Sequence, residues 1–235
     1  MRRALPFALS LIAGYVDTSS FLALGGLFTA HITGNFVTLA AALALGTSGT
    51  TAKILALPVF CVTIFAMRYL GKLLALSDTL GMKVLLAFEL LFLVAGCVAA
   101  ISLAPFTDPD GFQLVLTGML LVVALAIQNA AHRVHLASMP PTTVLTGTIT
   151  QIMLDLADLV HGTSDDSGAV VRPRLARMAT NVAVFAVGCG LAALLHALVG
   201  IWCFALPPLL ALGSLYLALD TPTAQTASGI ATGRE

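Results

Sequence analysis

Charge is what this sequence has least of. Only 9% of its 235 residues are Asp, Glu, Lys or Arg, against roughly a quarter in a soluble domain. The net charge is zero, and without a basic stripe there is no electrostatic footprint for nucleic acid. Cysteine is sparse too. Cys61, Cys97, Cys189 and Cys203 each lie inside an apolar run, in no CxxC or Cys/His spacing, so neither a disulfide framework nor a metal site is expected. Walker, GxGxxG, HExxH and GxSxG patterns are missing. No phosphate-binding loop or nucleotide domain is there to drive a pump, no cofactor is implied, and an enzyme is not expected.

What fills the chain instead is apolar. Hydrophobic residues make up 59%, and the mean hydropathy is +1.01. A soluble globule of this size could not hide so much apolar surface, so lipid is the expected solvent. A spanning helix needs about 20 apolar residues. The candidate segments are 5–24, 32–46, 54–76, 83–104, 112–131, 143–160, 175–198 and 200–219. A cleaved signal peptide competes for the first, but Asp17 interrupts its apolar run, and it is read as an uncleaved helix. Residues 1–219 form a single transmembrane domain on this reading. Residues 220–235, rich in Thr, Ala and Gly, are expected to be a disordered tail.

The second and sixth segments are short, and both open on a matching pattern, Thr33-Gly34-Asn35 and Thr146-Gly147-Thr148. The order long, short, long, long occurs twice, which predicts an internal duplication over about 5–104 and 112–219. Charge then sets the parity, because cytoplasmic loops collect Lys and Arg. Arg2 and Arg3, then Arg68, Lys72 and Lys83, then Arg172, Arg174 and Arg177 mark the inside, and Asp108-Pro109-Asp110 marks the outside. Eight full crossings contradict these marks twice. Six crossings plus two re-entrant half-helices satisfy all of them except Lys53. The expected fold is therefore all-α, two inverted repeats, with both termini inside.

Polar residues inside apolar segments are the candidate site. Asp17 sits deep in the first helix, where a carboxylate costs roughly 2.5–3.5 kcal/mol to insert. It is a proton carrier, a cation ligand, a partner for a buried base, or a structural helix-to-helix bond. Thr33, Asn35, Thr146 and Thr148 suit helix N-caps, and Gly34 and Gly147 allow close approach. Two helix N-termini facing each other would hold a small anion or carboxylate; ordinary capping and small-residue packing is the plainer alternative. Gln128, Asn129 and Thr143 line the expected cavity. Arg133 either neutralises Asp17, binds an anionic substrate, or snorkels to the interface. His31, His132 and His135 are pH-switch candidates. Glu89 joins the polar interior or bonds a neighbouring helix. Asp155, Asp158 and His161 form a solvated salt-bridge face, and Asn181 and His196 bond between helices. Gly14 with Thr18, and Gly96 with Ala100, are small-xxx-small pairs that would suit a homodimer.

These residues carry a family resemblance. The runs Ala13-Gly14-Tyr15-Val16-Asp17, Phe21 to Phe28 and His31-Ile32-Thr33-Gly34-Asn35, with Gln128-Asn129-Ala130-Ala131, Arg133, Thr142-Thr143 and Leu145 to Thr148, resemble the YoaK family of bacterial multi-spanning proteins. Pro140-Pro141 departs from the pattern before the second block. The resemblance implies a bacterial cytoplasmic membrane and no particular substrate. The paired short helices are also similar, by fold analogy alone, to a reduced anion or nucleobase transporter.

The expected function is a small secondary transporter or uniporter for a small, anionic or carboxylate-bearing solute, with proton coupling through Asp17. The site would comprise Asp17, His31, Thr33, Gly34, Asn35, Gln128, Asn129, Arg133, Thr143, Thr146, Gly147 and Thr148. A channel, and a non-transport assembly or sensor component, are the alternatives. The expected partners are the bilayer and the solute.

Overall fold

The computed structural model describes residues 4–143, 145–162 and 165–219, with 165–169 described by backbone alone. Arg2, Arg3 and the 220–235 tail lie outside the described residues. The order is α1 Leu5–Ala23, α2 Gly34–Leu45, α3 Thr51–Leu73, α4 Asp78–Leu103, α5 Phe112–His135, α6 Leu145–His161, α7 Asp165–Val199, a 3-10 turn Gly200–Ala205, and α8 Leu206–Leu219. Among the described residues five apolar helical runs are long enough to cross a bilayer; the last, Val170–Leu219, spans 50 residues and takes in α7 from Val170 onward, the 3-10 turn and α8. The short helices fall where the sequence places them, and α2 has only 12 residues, roughly 18 Å of rise.

α1 and α5 are the most enclosed helices, each with two thirds of its apolar window buried. α1 lies beside α7 in parallel. Ser10 donates to Asn181, and further along both helices a Cβ on Gly14 would strike the carbonyl of Phe185, and one on Gly188 the carbonyl of Leu11. Glycine on each side lets the two backbones touch, the close approach that small residues provide in lipid. Gly14 and Gly96 are thus spent on packing inside the chain, Gly14 against α7 and Gly96 against Leu121 of α5. The sequence expectation of a dimer seam there is corrected.

The helix pairings repeat. α1 packs on α7 as α3 packs on α5; α4 packs on α5 as α8 packs on α1; α2 packs on α3 as α6 packs on α7. Exchanging the two halves maps each of these pairs onto another.

Asp110, between α4 and α5, accepts hydrogen bonds from Gly49 N (2.7 Å) and Thr51 N (2.8 Å), and a Cβ on Gly49 would touch the Gly25 carbonyl. The chain therefore leaves α1 and enters α3 at one end of the bundle, the Asp110 end, with α2 between. The opposite end gathers Arg68, Asp78 and His135 around one cleft and Leu5, Lys83, Leu136 and Ala218 around a second. A third cleft joins Pro6, Met139, Pro140 and Arg177, so the end of α5 and the Pro173–Arg177 part of α7 lie at this same basic end.

Lys53, the charge that dissented from the sequence-based parity, is 7% exposed and sits in the field of Asp110. Asp110 is held well below the usual carboxylate range, at about 2, by the backbone N–H groups of Thr51 and Gly49. It serves as a cap for α3 supplied from another loop. The expected salt bridge at Asp155 forms, with Arg174, and Asp158 and His161 are exposed, but Asp155 itself departs from expectation. Asp155 is fully buried, not a solvated face; it takes Arg174 through two bonds, 2.9 Å to Nε and 2.6 Å to Nη2, and accepts from Gln151. This ties α6 to α7.

Candidate functional site

The break between α1 and α2 is built around Asp17. Asp17 stands six residues before the end of α1 at Ala23, about 9 Å along the axis, and is 4% exposed. Its Oδ1 accepts from the backbone N–H groups of Thr29 and Ala30, both at 2.7 Å, with His31 N at 3.5 Å and the Thr29 hydroxyl at 3.4 Å. Oδ2 accepts the Nδ1–H of His31 at 2.7 Å. Successive N–H groups converging on one oxygen form an anion nest. Here the anion is the protein's own carboxylate.

That bond fixes the tautomer of His31. With Nδ1 carrying the proton toward Asp17, Nε2 is left as the second functional nitrogen. It has no partner among the described residues, and the side chain is 38% exposed. The rings of Phe28 and Phe185 meet the imidazole edge-on, at 6.3 and 5.6 Å. Phe185 belongs to α7, so the ring faces a wall from the other half of the chain.

The start of α2 does not offer open donors. Gly34, Asn35 and Phe36 donate their N–H groups to the carbonyls of His31, Ile32 and Thr33. Thr33 is exposed and makes no cap bond, so the expected capping role is corrected. Asn35 turns inward instead. It accepts from Phe28 N at 2.9 Å and donates to Phe28 O at 2.8 Å, clamping the loop. Gly34 is explained by the Phe28 ring, which a Cβ there would meet at 2.9 Å.

The second break is held at a matching depth by amides. Asn129 stands six residues before His135, the end of α5. Its Oδ1 accepts the Thr143 hydroxyl at 2.7 Å, and its Nδ2 donates to Leu125 O. Gln128 donates to Leu9 O of α1 at 2.9 Å and to the Thr142 hydroxyl at 3.4 Å. His132 bonds Pro140 O, and Asn181 donates to Pro141 O. Thr148 is buried; Thr146 and Gly147 are exposed, and no atom crowds Gly147.

The expected site residues thus divide into two groups. Asp17, His31 and Asn35 meet around the first break, and Gln128, Asn129 and Thr143 around the second. Arg133 is exposed, half a turn from the basic end of α5, while Asp17 draws its donors from the α1–α2 loop; the proposed Asp17–Arg133 pair is corrected. Among the described residues α2 packs on α3 and α6 packs on α7. The three clefts described above are lined at the basic end, by other residues. Sequence reasoning missed Phe28, Thr29 and Phe185. One signal was available: Thr29 precedes Thr33 by the same interval as Thr142 precedes Thr146; Thr29 bonds Asp17, and Thr142 bonds Gln128 beside Asn129.

The chain belongs to the DUF1275 family. The family model, described as a protein of unknown function, matches residues 5–217, from the first residue of α1 almost to the end of α8. This is the YoaK family that the sequence resembles. No curated protein and no solved structure matches the chain. The DUF1275 match covers both breaks, so the Asp17 nest and the Asn129 clamp lie inside the family's own extent.

Proposed function

We propose that this DUF1275 protein is a small secondary transporter or uniporter of a bacterial cytoplasmic membrane, taking a small anionic or carboxylate-bearing solute. The observation that carries the reading is the Asp17–His31 pair. A buried carboxylate orients an imidazole inside a helix break, and the ring, its Nε2 without a partner among the described residues, stays partly exposed beside two aromatic edges. Protonated, Nε2 donates to an anion; neutral, it releases it. Asp17 keeps the ring in place in both states and offsets the charge of the protonated ring. Proton and anion would then move together.

The paired helix contacts support two inverted repeats, each with three crossings and one re-entrant half-helix, because an odd count reverses the second half. The clustering of Arg68, Lys72, Lys83, Arg172, Arg174 and Arg177 near one end supports that end as cytoplasmic. Cysteines placed at Ser48 and Ser77 in a cysteine-free background should label from the outside and the inside respectively. The reverse pattern would sink the topology.

The solute test is a thermal-shift screen of purified protein against chloride, nitrate, formate, acetate and lactate, since a ligand that binds only the folded state raises its apparent stability. An anion that stabilises the wild type and not His31→Ala is then followed for uptake in proteoliposomes. A second reading, a non-transport assembly or sensor component, is favoured by one observation: Asp17, Asn35 and Asn129 are bonded within the chain. It predicts no shift with any anion and no uptake.

A further inference from the structure

Among the described residues three buried side-chain oxygens of the helical core have no partner: Ser20 Oγ on α1, which can itself donate, and two pure acceptors that lack a donor, Glu89 Oε1 and Gln128 Oε1. Glu89 on α4 is 1% exposed and Gln128 on α5 is 0% exposed. Neither Glu89 Oε1 nor Gln128 Oε1 has a hydrogen-bond partner among the described residues. The Gln128 amide has nothing to spare, because both protons on Nε2 are used, by Leu9 O and by Thr142 Oγ1.

The helix register brings the two residues together. A Cβ on Gly81 would touch the His135 ring, and one on Gly96 would touch Leu121, so α4 and α5 run antiparallel. Glu89 lies between Gly81 and Gly96 on the same face of α4. Gln128 lies midway between Leu121 and His135, one heptad from each, on the matching face of α5. They are level with each other. Two acceptors cannot bond, and an ionised carboxylate in this setting is far more costly than a neutral acid. One proton resolves both orphans, since a protonated carboxyl is a donor.

We propose that Glu89 and Gln128 form a proton-binding site. Glu89 carries the proton as a carboxylic acid and donates it to Gln128 Oε1, and the proton exchanges through the cleft at the basic end. That cleft, about 70 Å³, has room for a few waters. Asp78 and His135 stand at its mouth, 3.7 Å apart. Leu85, Phe88 and Ala130 line it, and Phe88 and Ala130 lie within two residues of the pair.

Among the described residues the packed elements supply no competing base level with the pair: on α3 Arg68 lines the cleft at the basic end, and on α1 Asp17 is bonded by the α1–α2 loop and Tyr15 donates to Cys203 O. On α5 the nearest titratable groups are His132, bonded to Pro140 O, Arg133 and His135, all toward the basic end. On α8, Met82 and Ala218 share a cleft, so the antiparallel register brings Ala211 and Ser214 nearest to Glu89; Tyr216 is 65% exposed. In the 3-10 turn Cys203 lies further toward the Asp110 end. On α4 itself Lys83 and Asp78 are at the basic end.

This proposal does not rest on the transport reading, and infrared difference spectroscopy of the purified protein tests it directly. Wild type at neutral pH should show the carbonyl band of a protonated carboxyl, sensitive to deuterium exchange, and Glu89→Gln should lose it. Gln128→Leu, which keeps Glu89, should move the band to the position of an unbonded acid; this arm stands if Glu89→Gln does not fold. No acid band, a band that survives Glu89→Gln, or a band unmoved by Gln128→Leu overturns the proposal. A band abolished by sodium at fixed pH also overturns it, in favour of a metal-cation site. A failure of anion uptake leaves the band where it is.

Discussion

Removing Asp17 should unhinge the break between α1 and α2, and the size of the effect follows from its partners. Asp17→Ala strips the acceptor from the Thr29 and Ala30 N–H groups, both bonded at 2.7 Å, and from His31 Nδ1. Thr29 is fully buried and Ala30 is 8% exposed, so water does not readily replace the lost acceptor. An orphaned buried donor costs about 1–3 kcal/mol. Counting the two backbone donors fully and the half-exposed histidine lightly gives roughly 3–6 kcal/mol. Asp17→Asn keeps one carbonyl oxygen for the two backbone donors. Its NH₂ group then faces Nδ1, which can accept if the imidazole switches tautomer. That variant loses charge and little else, about 1–2 kcal/mol. The assay is thermal unfolding in detergent, with cysteine labelling of Thr33→Cys in each background to report opening of the loop. The expected order is wild type, Asp17→Asn, Asp17→Ala, in falling stability and rising labelling. If Asp17→Asn proves as damaging as Asp17→Ala, the anchor depends on charge and not on acceptor geometry, and the reasoning fails. A neutral Asp17→Ala would refute the anchor itself.

Three further outcomes follow from the packing. Arg174→Ala leaves the buried Asp155 carboxylate with Gln151 alone and should destabilise the protein, whereas Asp155→Ala leaves a guanidinium that is already 45% exposed and should cost far less; equal losses in unfolding experiments would contradict the burial asymmetry. Gly188→Val drives a side chain into the Leu11 carbonyl and should destabilise by at least about 1–3 kcal/mol, while Gly190→Val, with open space around it, should stay near wild type in the same melt. Asp110→Ala removes the cap of α3 and should cost about 1–2 kcal/mol at neutral pH. Asp110 is lowered from 3.8 to about 2 in the fold, so its contribution is complete above the unfolded value and is lost as pH falls through the folded one. The gap between wild type and Asp110→Ala should therefore hold down to about pH 4 and close toward about pH 2; a gap that persists in strong acid would exclude this cap as its source.

Much of the fold was legible because lipid imposes a simple length rule. Gly46 and Gly49 take positive φ at the end of α2, as the punctuation around them suggests, and the boundaries of α2 and α6 come out within two residues of the segments read from the sequence. The basic and acidic loops sorted onto opposite ends for the same reason, since each charge must reach water. The wiring of the site was less legible. Hydropathy places Asp17 inside a helix but is silent on which groups bond it, because its partners at Thr29 and Ala30 are backbone groups that any residue would supply. The Thr-Gly repeat drew attention to the helix starts, yet the anchoring runs one turn earlier, through Phe28 to His31 and through Pro140 to Thr143. Asp155 looked like a wet surface charge because its neighbours Asp158 and His161 are polar. Only the position of Arg174, nineteen residues later, makes its burial tolerable.

The two breaks solve one mechanical problem with different chemistry, and the difference bears on function. Each is irregular backbone at about 9 Å from a helix end, where unsatisfied N–H and C=O groups are tolerated only if protein supplies partners. The second break uses neutral groups: Gln128, Asn129, His132 and Asn181 bond Thr142, Thr143, Pro140 and Pro141. Neutral amides would have sufficed at the first break as well, at a lower insertion cost than a carboxylate. What an amide could not do there is hold the Nδ1–H tautomer of His31 by charge while offsetting a second proton on Nε2. The Asn35 clamp on Phe28 already fixes the loop's path. On the proposed reading, the charge on Asp17 serves His31, the side chain in the break that can change its own charge.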